Sequence, residues 1–337
     1  MKEVRKIFAT KEIPEELNRT SITLIPKIPS PTTLNNYSLI SLCNTVYKIV
    51  SKILVARLRP LLGKLISPLQ STFDPERKGT NNVIIVQELI HMISREKGKT
   101  GFMAIKIELE KAYDKLEWSF IKEILFRVNL PQNLIKLIMS YVSTISKSIV
   151  VNGGALDQIL PSRGLRQGDP LSPYIFILCM DFLGQLIEEK CSKKSWKPVR
   201  ASRSGLAFSN LFFADDLVLF AKADHENCVV IREVLDLFCS RSGQSLSGAK
   251  SKVYFSSNVD RFSREELCDI LGFQSTPNLR KYLGIPIKHP GSSSQDFNFM
   301  LEQVKQKLVG WKANFLSLAG RSILVKHVSS TIPNYVM

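Results

Sequence analysis

The sequence has no apolar run near the roughly 20 residues that a membrane-spanning helix needs, and its start lacks the apolar core of a signal peptide. Its six cysteines form no Cys-x-x-Cys pair, which favours buried free thiols in a reducing compartment over disulfides or a zinc site. Internal repeats and low-complexity tracts are also absent. These absences predict an intracellular globular protein with no membrane partner, and they leave its compartment and oligomeric state open.

Acidic residues are scarce relative to basic ones, and the net charge of +16 with a pI near 9.6 predicts a polyanionic partner. No acidic residue occurs between Glu189 and Asp215. Trp196 stands in this stretch together with Lys190, Lys193, Lys194, Lys197, Arg200 and Arg203. Such a segment can follow a phosphate backbone while the aromatic ring stacks on a base. The alternative is a solvated basic loop.

Two adjacent carboxylates interrupt an otherwise apolar stretch, LFFADDLVLF, from Leu211 to Phe220. Strand-forming residues on both sides of a two-residue polar tip predict a β-hairpin with Asp215 and Asp216 at its turn. Two like charges held side by side cost free energy unless a cation lies beside them. A hairpin that presents paired carboxylates to Mg²⁺ suits nucleotidyl transfer, in which metal ions bind the attacking and the leaving oxygen. An acidic surface turn is the alternative.

Hydrophobic periodicity predicts an α+β fold in which helices cover one face of an antiparallel sheet. The predicted strands are 101–109, 253–256 and 281–287, with a hairpin at 149–159 that turns at 152–154. The predicted helices are 45–62, 116–128, 132–142, 170–189, 226–241 and 295–318.

A metal site of this kind needs a third carboxylate from a neighbouring strand. Glu108 ends the predicted strand 101–109 and meets Asp215 if that strand lies beside the hairpin, whereas Glu110 and Asp114 are expected to be solvated. The turn before the helix at 170 carries Arg166, Gln167, Gly168 and Asp169. A Gln-Gly pair at a helix entrance can present a side-chain amide and a bare backbone to a nucleotide.

The chain resembles the reverse transcriptase domain of plant LINE-type (non-LTR) retrotransposons along nearly its whole length. The matching stretches are ITLIPK (22–27), ISLCNTVYKIVSK (40–52), IKIELEKAYDKLEW (105–118), GLRQGDPLSPYIF (164–176), FFADD (212–216), SGQSLSGAKSKVYF (242–255), KYLGIPI (281–287) and WKANFLSLAGR (311–321). The resemblance implies a right-hand polymerase with fingers at 1–100, a palm at 101–290 that includes a finger insertion at about 145–170, and the start of a truncated thumb at 291–337.

The resemblance also implies a metal site. Asp215 is expected to hold two Mg²⁺ ions, for which Mn²⁺ can substitute, while Asp216 supports the site and Glu108 occupies the position of the first catalytic aspartate. Tyr113 matches the aromatic residue that stacks under the sugar and rejects a 2′-hydroxyl, although packing alone is an alternative. The implied partners are an RNA template, a DNA primer and dNTPs.

Further positions match groups that bind substrate. Lys27 corresponds to a fingers lysine at the triphosphate. Lys250 corresponds to a lysine that protonates the departing pyrophosphate, with a plain surface lysine as the alternative. The segment that lines the incoming nucleotide corresponds to Arg166, Gln167 and Gly168, and the loop that grips the primer end corresponds to Tyr282, Leu283 and Gly284.

The sequence departs from the family at several functional positions. Glu108 stands where the family has Asp, and its extra methylene moves the carboxylate outward by roughly 1 Å, which can cost on the order of 100-fold in rate. Ser38 replaces an arginine expected to clamp the triphosphate, a task that a hydroxyl cannot perform. Asp74 and Glu76 bring acids to a loop that a polyanion should pass, and Ser247 replaces an asparagine.

These losses beside an intact apolar framework lead to two hypotheses. The first is an RNA-directed DNA polymerase domain with weak or absent catalysis, from an element copy expected to lack the endonuclease that normally precedes this domain. The second is a catalytically inactive RNA-binding remnant of the same fold. A relative of group II intron maturases is disfavoured, because KYLGIPI and WKANFLSLAGR follow the plant LINE pattern.

Overall fold

The computed structural model describes residues 2–70, 72, 79–151, 153–201, 205–287 and 316–324, with the single residues 298, 302, 305 and 326. Its helices are α1 (Lys2–Thr10), α2 (Thr45–Leu65), α3 (Gly79–Arg95), α4 (Ala112–Lys115), α5 (Trp118–Arg127), α6 (Gln132–Ser143), α7 (Ser172–Ser192), α8 (His225–Ser242), α9 (Arg261–Leu271) and α10 (Leu318–Leu324). Its strands are β1 (Arg19–Pro26), β2 (Tyr37–Cys43), β3 (Phe102–Glu108), β4 (Ser146–Val151), β5 (Gly154–Ala155), β6 (Val199–Arg200), β7 (Ala207–Phe208), β8 (Asn210–Phe213), β9 (Asp216–Lys222), β10 (Lys252–Phe255), β11 (Gln274–Ser275), β12 (Lys281–Tyr282) and β13 (Ile285–Pro286). None of the described helices has the length and apolar content that a bilayer crossing requires.

The predicted α+β fold is built on a five-stranded sheet in the order β11-β10-β3-β9-β8. Its strands are antiparallel except for the β10–β11 pair. The central pair, β3 and β9, runs from Phe102 opposite Lys222 to Glu108 opposite Asp216. The register of this pair therefore brings two acidic residues together at the same end of the two central strands.

Both faces of this sheet are covered, so the prediction of a single covered face is wrong. Ile105 and Leu219 belong to the core formed with α5, α6, α7 and α8. Ala104 and Phe220 belong to a second core formed with α3 and the β12–β13 hairpin. The strand β9 is apolar and buried from residue 217 to 221, so it needs cover on both sides.

A second sheet, in the order β2-β1-β4-β5, contains the predicted hairpin at 149–159. Val151 of β4 pairs with Gly154 of β5, so the chain reverses between these two residues, and Gly153 has φ +81°. The chain then returns to form a bridge between Ile159 and Lys147. The hairpin is confirmed, while Asn152 lies outside the described residues.

The helices predicted at 45–62, 132–142, 170–189 and 226–241 are confirmed as α2, α6, α7 and α8, and Gly243 ends α8 in the left-handed conformation with φ +76°. The helix predicted at 116–128 begins at Trp118. The strand predicted at 281–287 is instead a hairpin, because positive φ at Leu283 (+50°) and Gly284 (+79°) reverses the chain. The helix predicted at 295–318 lies largely outside the described residues.

The basic stretch around Trp196 does not present its aromatic ring to a nucleic acid. The Trp196 indole is 1% exposed, and its Nε1 donates a hydrogen bond to the Phe220 carbonyl oxygen (3.0 Å). Three of the predicted contact residues, Lys190, Lys193 and Lys197, form ion pairs with Glu233, Glu189 and Glu226, respectively. The base-stacking prediction is wrong because the indole fills the core, and the alternative of a solvated basic segment fits better.

A buried hydrogen-bond network joins α2 and α6 to the loop before α7. The Asp169 carboxylate accepts hydrogen bonds from Ser51 Oγ (2.7 Å), the Tyr141 hydroxyl and Ser172 Oγ (3.2 Å). The Tyr141 ring stacks on Tyr47 with 4.1 Å between centroids. All five side chains are buried, so the network fixes the start of α7 relative to both neighbouring helices.

Replacing Tyr141 by Phe is expected to lower the free energy of unfolding by about 1–3 kcal/mol, because the buried Asp169 carboxylate loses a donor that water cannot replace. Urea denaturation followed by tryptophan fluorescence measures the change. The matched control is Ser143→Ala, which removes an exposed hydroxyl from the same helix and should change the free energy of unfolding by less than about 0.5 kcal/mol. Equal stability of Tyr141→Phe and the wild type would contradict this role for the network.

Candidate active site

The predicted acidic hairpin is present, but its turn is shifted by one residue. Phe213 of β8 pairs with Asp216 of β9, so the two-residue turn consists of Ala214 and Asp215. Ala214 has φ +54°, a region that residues other than glycine rarely occupy. Asp215 is exposed at the tip, whereas Asp216 is half-buried at the start of its strand. The two adjacent carboxylates therefore have different environments.

A short segment that follows α2 holds this turn in place. The Phe212 N–H donates to the Leu69 carbonyl oxygen (3.0 Å). The Ala214 N–H donates to Thr72 Oγ1 (2.5 Å) and has a longer contact to Gln70 Oε1 (3.4 Å). Gln70 and Thr72 are buried, and sequence reasoning did not identify them. The available signal was their spacing, since polar residues two apart just after a helix fit a short strand.

Glu108 and Asp216 lie directly opposite each other on adjacent antiparallel strands. Opposite residues of such a pair have Cβ atoms about 4.5–5.5 Å apart, so the two carboxylates lie close together at the end of these strands. Burial and the charges of Asp215 and Glu108 raise the pKa of Asp216, while Lys106 acts in the opposite direction. Lys106 Nζ also lies 3.1 Å from Glu108 Oε1, so Glu108 is already paired with a cation.

Tyr113 lies on the Asp215 side of the hairpin. Its ring stacks on Phe176 with 4.5 Å between centroids, and burial, followed by the charge of Asp215, raises its pKa to about 12. The phenol therefore stays protonated at neutral pH. Asp216 instead acts on Tyr282, whose pKa is raised mainly by burial. The two carboxylates thus influence different tyrosines, as expected for neighbouring residues at the start of a strand.

Carboxylate oxygens are the ligands that Mg²⁺ prefers, and like charges on both sides of Asp216 suit a site for a cation. In the part of the chain that the structure describes, however, no three His, Cys, Asp or Glu side chains lie close enough together to hold a metal ion. Glu108 is engaged by Lys106, and Asp215 projects from the turn. The three-carboxylate site remains a prediction.

The loop before α7 exposes Gln167 and Gly168 to solvent, whereas Arg166 is buried. Gly168 has φ +83°, and no atom lies within 4 Å of the position a Cβ would take, so its backbone is open to a ligand. Arg166 is 1% exposed; its Nη2 donates to the Asn18 carbonyl oxygen (2.9 Å) and Oδ1 (2.7 Å). Its guanidinium also lies over the Tyr47 ring at 4.2 Å. Because Arg166 is buried, it does not contact a nucleotide directly, and it instead supports the loop from below its surface.

The predicted primer-gripping residues form the β12–β13 hairpin beside the carboxylates. Tyr282 is fully buried next to Asn82, and Asn82 Nδ2 donates to the Phe212 carbonyl oxygen (3.1 Å) in the acidic hairpin. Lys106 Nζ donates to the Lys281 carbonyl oxygen (3.2 Å). The tip of the hairpin is formed by Leu283, which is half-buried, and Gly284, which is exposed. Both hairpins are therefore tied to the same end of the central sheet.

The remaining predicted residues lie at the periphery of this site. Lys27 is exposed just after β1, and Lys250 is exposed in the turn before β10. A hydrogen bond from Lys115 and its charge lower the pKa of Glu110, and Lys250 adds to the effect. The solvated position expected for Glu110 is confirmed, since its carboxylate is exposed in an ion pair with Lys115 (2.8 Å).

Two departures from the family pattern also have positions in the structure. Ser247 is buried, and its backbone N–H donates to the Glu108 carbonyl oxygen (2.9 Å), so it fixes the end of β3. The backbone of Ser38 lies in β2 opposite Ile25. The Ser38 side chain, as well as Asp74 and Glu76, lies outside what the structure describes.

A half-buried lysine near Arg166 was not singled out by sequence reasoning. Lys147 of β4 lies near Asp114 and Arg166, and burial lowers its pKa, with Asp114 acting in the opposite direction and Arg166 adding to the decrease. Its pairing with Thr20 of β1 fixes its position in the sheet. No local signal marked this residue, because its position depends on a long-range pairing between β1 and β4.

Comparisons with known proteins identify the family. Residues 25–287 match the model of the family described as Reverse transcriptase (RNA-dependent DNA polymerase). The chain is 24% identical over 328 residues to the Transposon TX1 uncharacterized 149 kDa protein of Xenopus laevis, with 95% of this chain and 24% of that protein covered. It is 26% identical over 285 residues to the Retrovirus-related Pol polyprotein from type-2 retrotransposable element R2DM of Drosophila melanogaster, with 81% and 25% covered. The chain thus spans about a quarter of the length of these relatives.

A solved structure supports the fold. The structure of telomerase from Candida albicans with a fragment of telomeric RNA matches with a TM-score of 0.50 and 13% identity, covering 92% of this chain and 53% of that chain. At this identity the likeness concerns the fold alone, and it confirms the predicted right-hand polymerase class. Because the family model also covers most of the chain, including both acidic strands, the chain belongs to the reverse transcriptase (RNA-dependent DNA polymerase) family, as a domain similar to those of non-LTR retrotransposons.

Proposed function

We propose that this chain is an RNA-directed DNA polymerase domain from a plant LINE-type retrotransposon, which extends a DNA primer on an RNA template with dNTPs. The pairing of Glu108 with Asp216, with Asp215 at the adjoining turn, is the observation that carries the proposal. The proposed subdomains are fingers at 1–100, a palm at 101–290 with a finger insertion at about 145–170, and a thumb that starts at 291.

In the proposed reaction the primer 3′-hydroxyl attacks the α-phosphate of a dNTP. A new P–O bond forms while the bond to the β-phosphate breaks, and pyrophosphate leaves. Glu108, Asp215 and Asp216 would hold Mg²⁺, or Mn²⁺, which when bound supplies charge neutralisation at the attacking and leaving oxygens. The carboxylate donors fit such an ion. Burial, and then the charges of Asp215 and Glu108, raise the pKa of Asp216, and a bound cation would oppose this increase.

The other proposed roles follow from exposure and position. Gln167 and Gly168 would line the nucleotide, since both face solvent and the Gly168 backbone is open. Tyr113 would pack under the sugar, because it lies beside Asp215 on a rigid stack with Phe176. The remaining proposed contacts are Lys27 with the triphosphate, Lys250 with the leaving pyrophosphate, and the Leu283–Gly284 turn with the primer end.

A second candidate function, an RNA-binding remnant without catalysis, is favoured by the Lys106–Glu108 ion pair. The longer Glu side chain reaches Lys106 Nζ at 3.1 Å, so a metal ion has to compete with this ammonium for the carboxylate. We therefore propose that polymerisation by this chain is slow, and that RNA binding is retained in either case.

Purified protein is expected to incorporate labelled dTTP slowly on poly(rA)/oligo(dT) in the presence of Mg²⁺, and EDTA should stop the reaction. Asp215→Asn should abolish incorporation, because an amide brings no charge to a bound cation. The matched control is Asp157→Asn, which changes an exposed acid in the loop after β5 and should leave the rate unchanged. RNA binding without any incorporation by the wild type would favour the remnant over the polymerase.

Glu108→Asp is expected to raise the rate of primer extension by about 10- to 100-fold. The shorter side chain removes the outward displacement of the carboxylate, roughly 1 Å, and releases the contact with Lys106. Adding Ser38→Arg should raise the rate further by supplying a cation for the triphosphate. Single-turnover extension assays measure both steps. Glu108→Gln serves as the control, since it keeps the length but removes the charge; a rate for Glu108→Asp no higher than the wild type would refute this diagnosis.

Thr72→Val is expected to slow extension by about tenfold in the Glu108→Asp background, because the Ala214 N–H loses its acceptor and the Asp215 turn moves. Thr20→Val is the matched control, since the Thr20 hydroxyl is also buried but has no hydrogen-bond partner among the described residues. RNA affinity should be equal in both variants. Equal extension rates would show that the Ala214–Thr72 hydrogen bond does not control the position of the turn.

A further inference from the structure

The longest part of the sequence without Asp or Glu contains α2. No Asp or Glu occurs from Leu17 to Phe73. Within this stretch α2 carries Lys48, Lys52, Arg57, Arg59 and Lys64, so a helix of 21 residues has no acidic side chain of its own. This segment lies apart from the basic stretch at 190–203, whose paired lysines do not present free charge.

Three of these basic residues form a stripe along one side of the helix. Lys48, Lys52 and Arg59 are separated by four and seven residues, spacings that place side chains on the same helical face. The buried face of α2 lies to one side of the stripe and contains Tyr47, Ser51, Leu54, Leu58 and Leu62. At 1.5 Å per residue the stripe is about 16 Å long, the rise of about five nucleotides in one strand of a duplex.

The stripe is open to a ligand. Lys48, Lys52 and Arg59 are exposed, and none of them has an ion pair within the described residues. The neighbouring positions on the same side, Ala56 and Gly63, are small and exposed, so a backbone can approach the helix closely. Arg57 differs, since its guanidinium lies over the Phe8 ring at 5.0 Å and is held against α1.

The stripe begins beside the proposed nucleotide loop. Tyr47, the neighbour of Lys48, stacks against the Arg166 guanidinium, and Ser51, one turn further, donates to Asp169. Arg166 and Asp169 flank Gln167 and Gly168, so the first lysine of the stripe lies on the turn of α2 that supports this loop. A nucleic-acid strand leaving the loop region along α2 would then meet one cation after another.

We propose that the Lys48–Lys52–Arg59 stripe of α2 binds the phosphates of single-stranded RNA outside the polymerase site. This inference rests on the proposed function for the identity of the RNA as template, but it concerns a surface that contains none of the catalytic carboxylates. RNA is the occupant that the charge favours, because an acid-free stripe of exposed cations complements a polyanion.

The test is fluorescence anisotropy with a labelled single-stranded RNA in EDTA, so that binding is measured without metal, dNTP or catalysis. The triple variant Lys48→Glu/Lys52→Glu/Arg59→Glu is expected to bind at least about tenfold more weakly at moderate salt. For the neutral triple variant, with Gln at all three positions, the slope of log affinity against log salt should decrease in magnitude by about two. Asp215→Asn should bind like the wild type, which separates this surface from the proposed catalytic site.

The matched control reverses three equally exposed cations near the other end of the central sheet: Arg95→Glu/Lys97→Glu/Lys99→Glu. The change in net charge is the same, and these residues lie at the end of β3 remote from Glu108. A loss confined to the α2 variant supports the stripe. Equal losses in both variants, or none in either, overturn it, and so does a loss of binding to phosphatidylserine vesicles with unchanged RNA affinity.

Lysine footprinting on the unmodified protein keeps the proposal testable if the charge-reversed variant does not fold. Acetylation with and without RNA, read by mass spectrometry, should show protection of Lys48 and Lys52 but not of Lys97 and Lys99. Undiminished acetylation of Lys48 and Lys52 at saturating RNA overturns the proposal. Because no step needs dNTP incorporation, a failed polymerase assay leaves this result unaffected.

Discussion

The pairing of β3 with β9 is the constraint on which the candidate site depends. Both strands are buried on both faces, so a shift of one residue would move Ile105 and Ile107 from one core to the other and disrupt both. Each fully buried side chain of this size contributes about 1.5–3 kcal/mol. The same register places Glu108 opposite Asp216. The position of the acidic pair is therefore set by apolar residues that take no part in chemistry.

Lys106 decides what this acidic pair can do without a metal ion. It lies two residues before Glu108 on the same side of β3, pairs with its carboxylate and also donates to the Lys281 carbonyl oxygen. One ammonium group thus connects the first acid to the proposed primer-gripping hairpin. A metal ion that bound Glu108 would compete with Lys106 for its carboxylate and would leave Lys106 with its contact to the hairpin.

The sequence was sufficient for features that depend on local patterns and insufficient for those set by distant contacts. The acidic hairpin and the helix at 226–241 were predicted because apolar runs around a polar tip and helical periodicity are local signals. The exact turn was missed by one residue, since Ala214 keeps a positive φ through a hydrogen bond to Thr72, which is far away in the chain. Trp196 was placed on the surface because its basic neighbours are visible in the sequence, whereas the Phe220 carbonyl that binds its indole is not.

The distribution of charge shows why the number of basic residues at 190–203 was a poor guide to a binding surface. At the end of α7 and within α8 and α9, cations pair with acids four residues away. These pairs are Lys193–Glu189, Arg232–Asp236 and Arg261–Glu265. The α2 helix has no acid, so Lys48 and Lys52 form a like-charged pair at that same spacing, which costs roughly 0.2–0.5 kcal/mol. Packing of the buried face of α2 has to offset this repulsion. A bound polyanion would remove the repulsion between Lys48 and Lys52. The arrangement of charged residues, rather than their number, is therefore the guide to a binding surface.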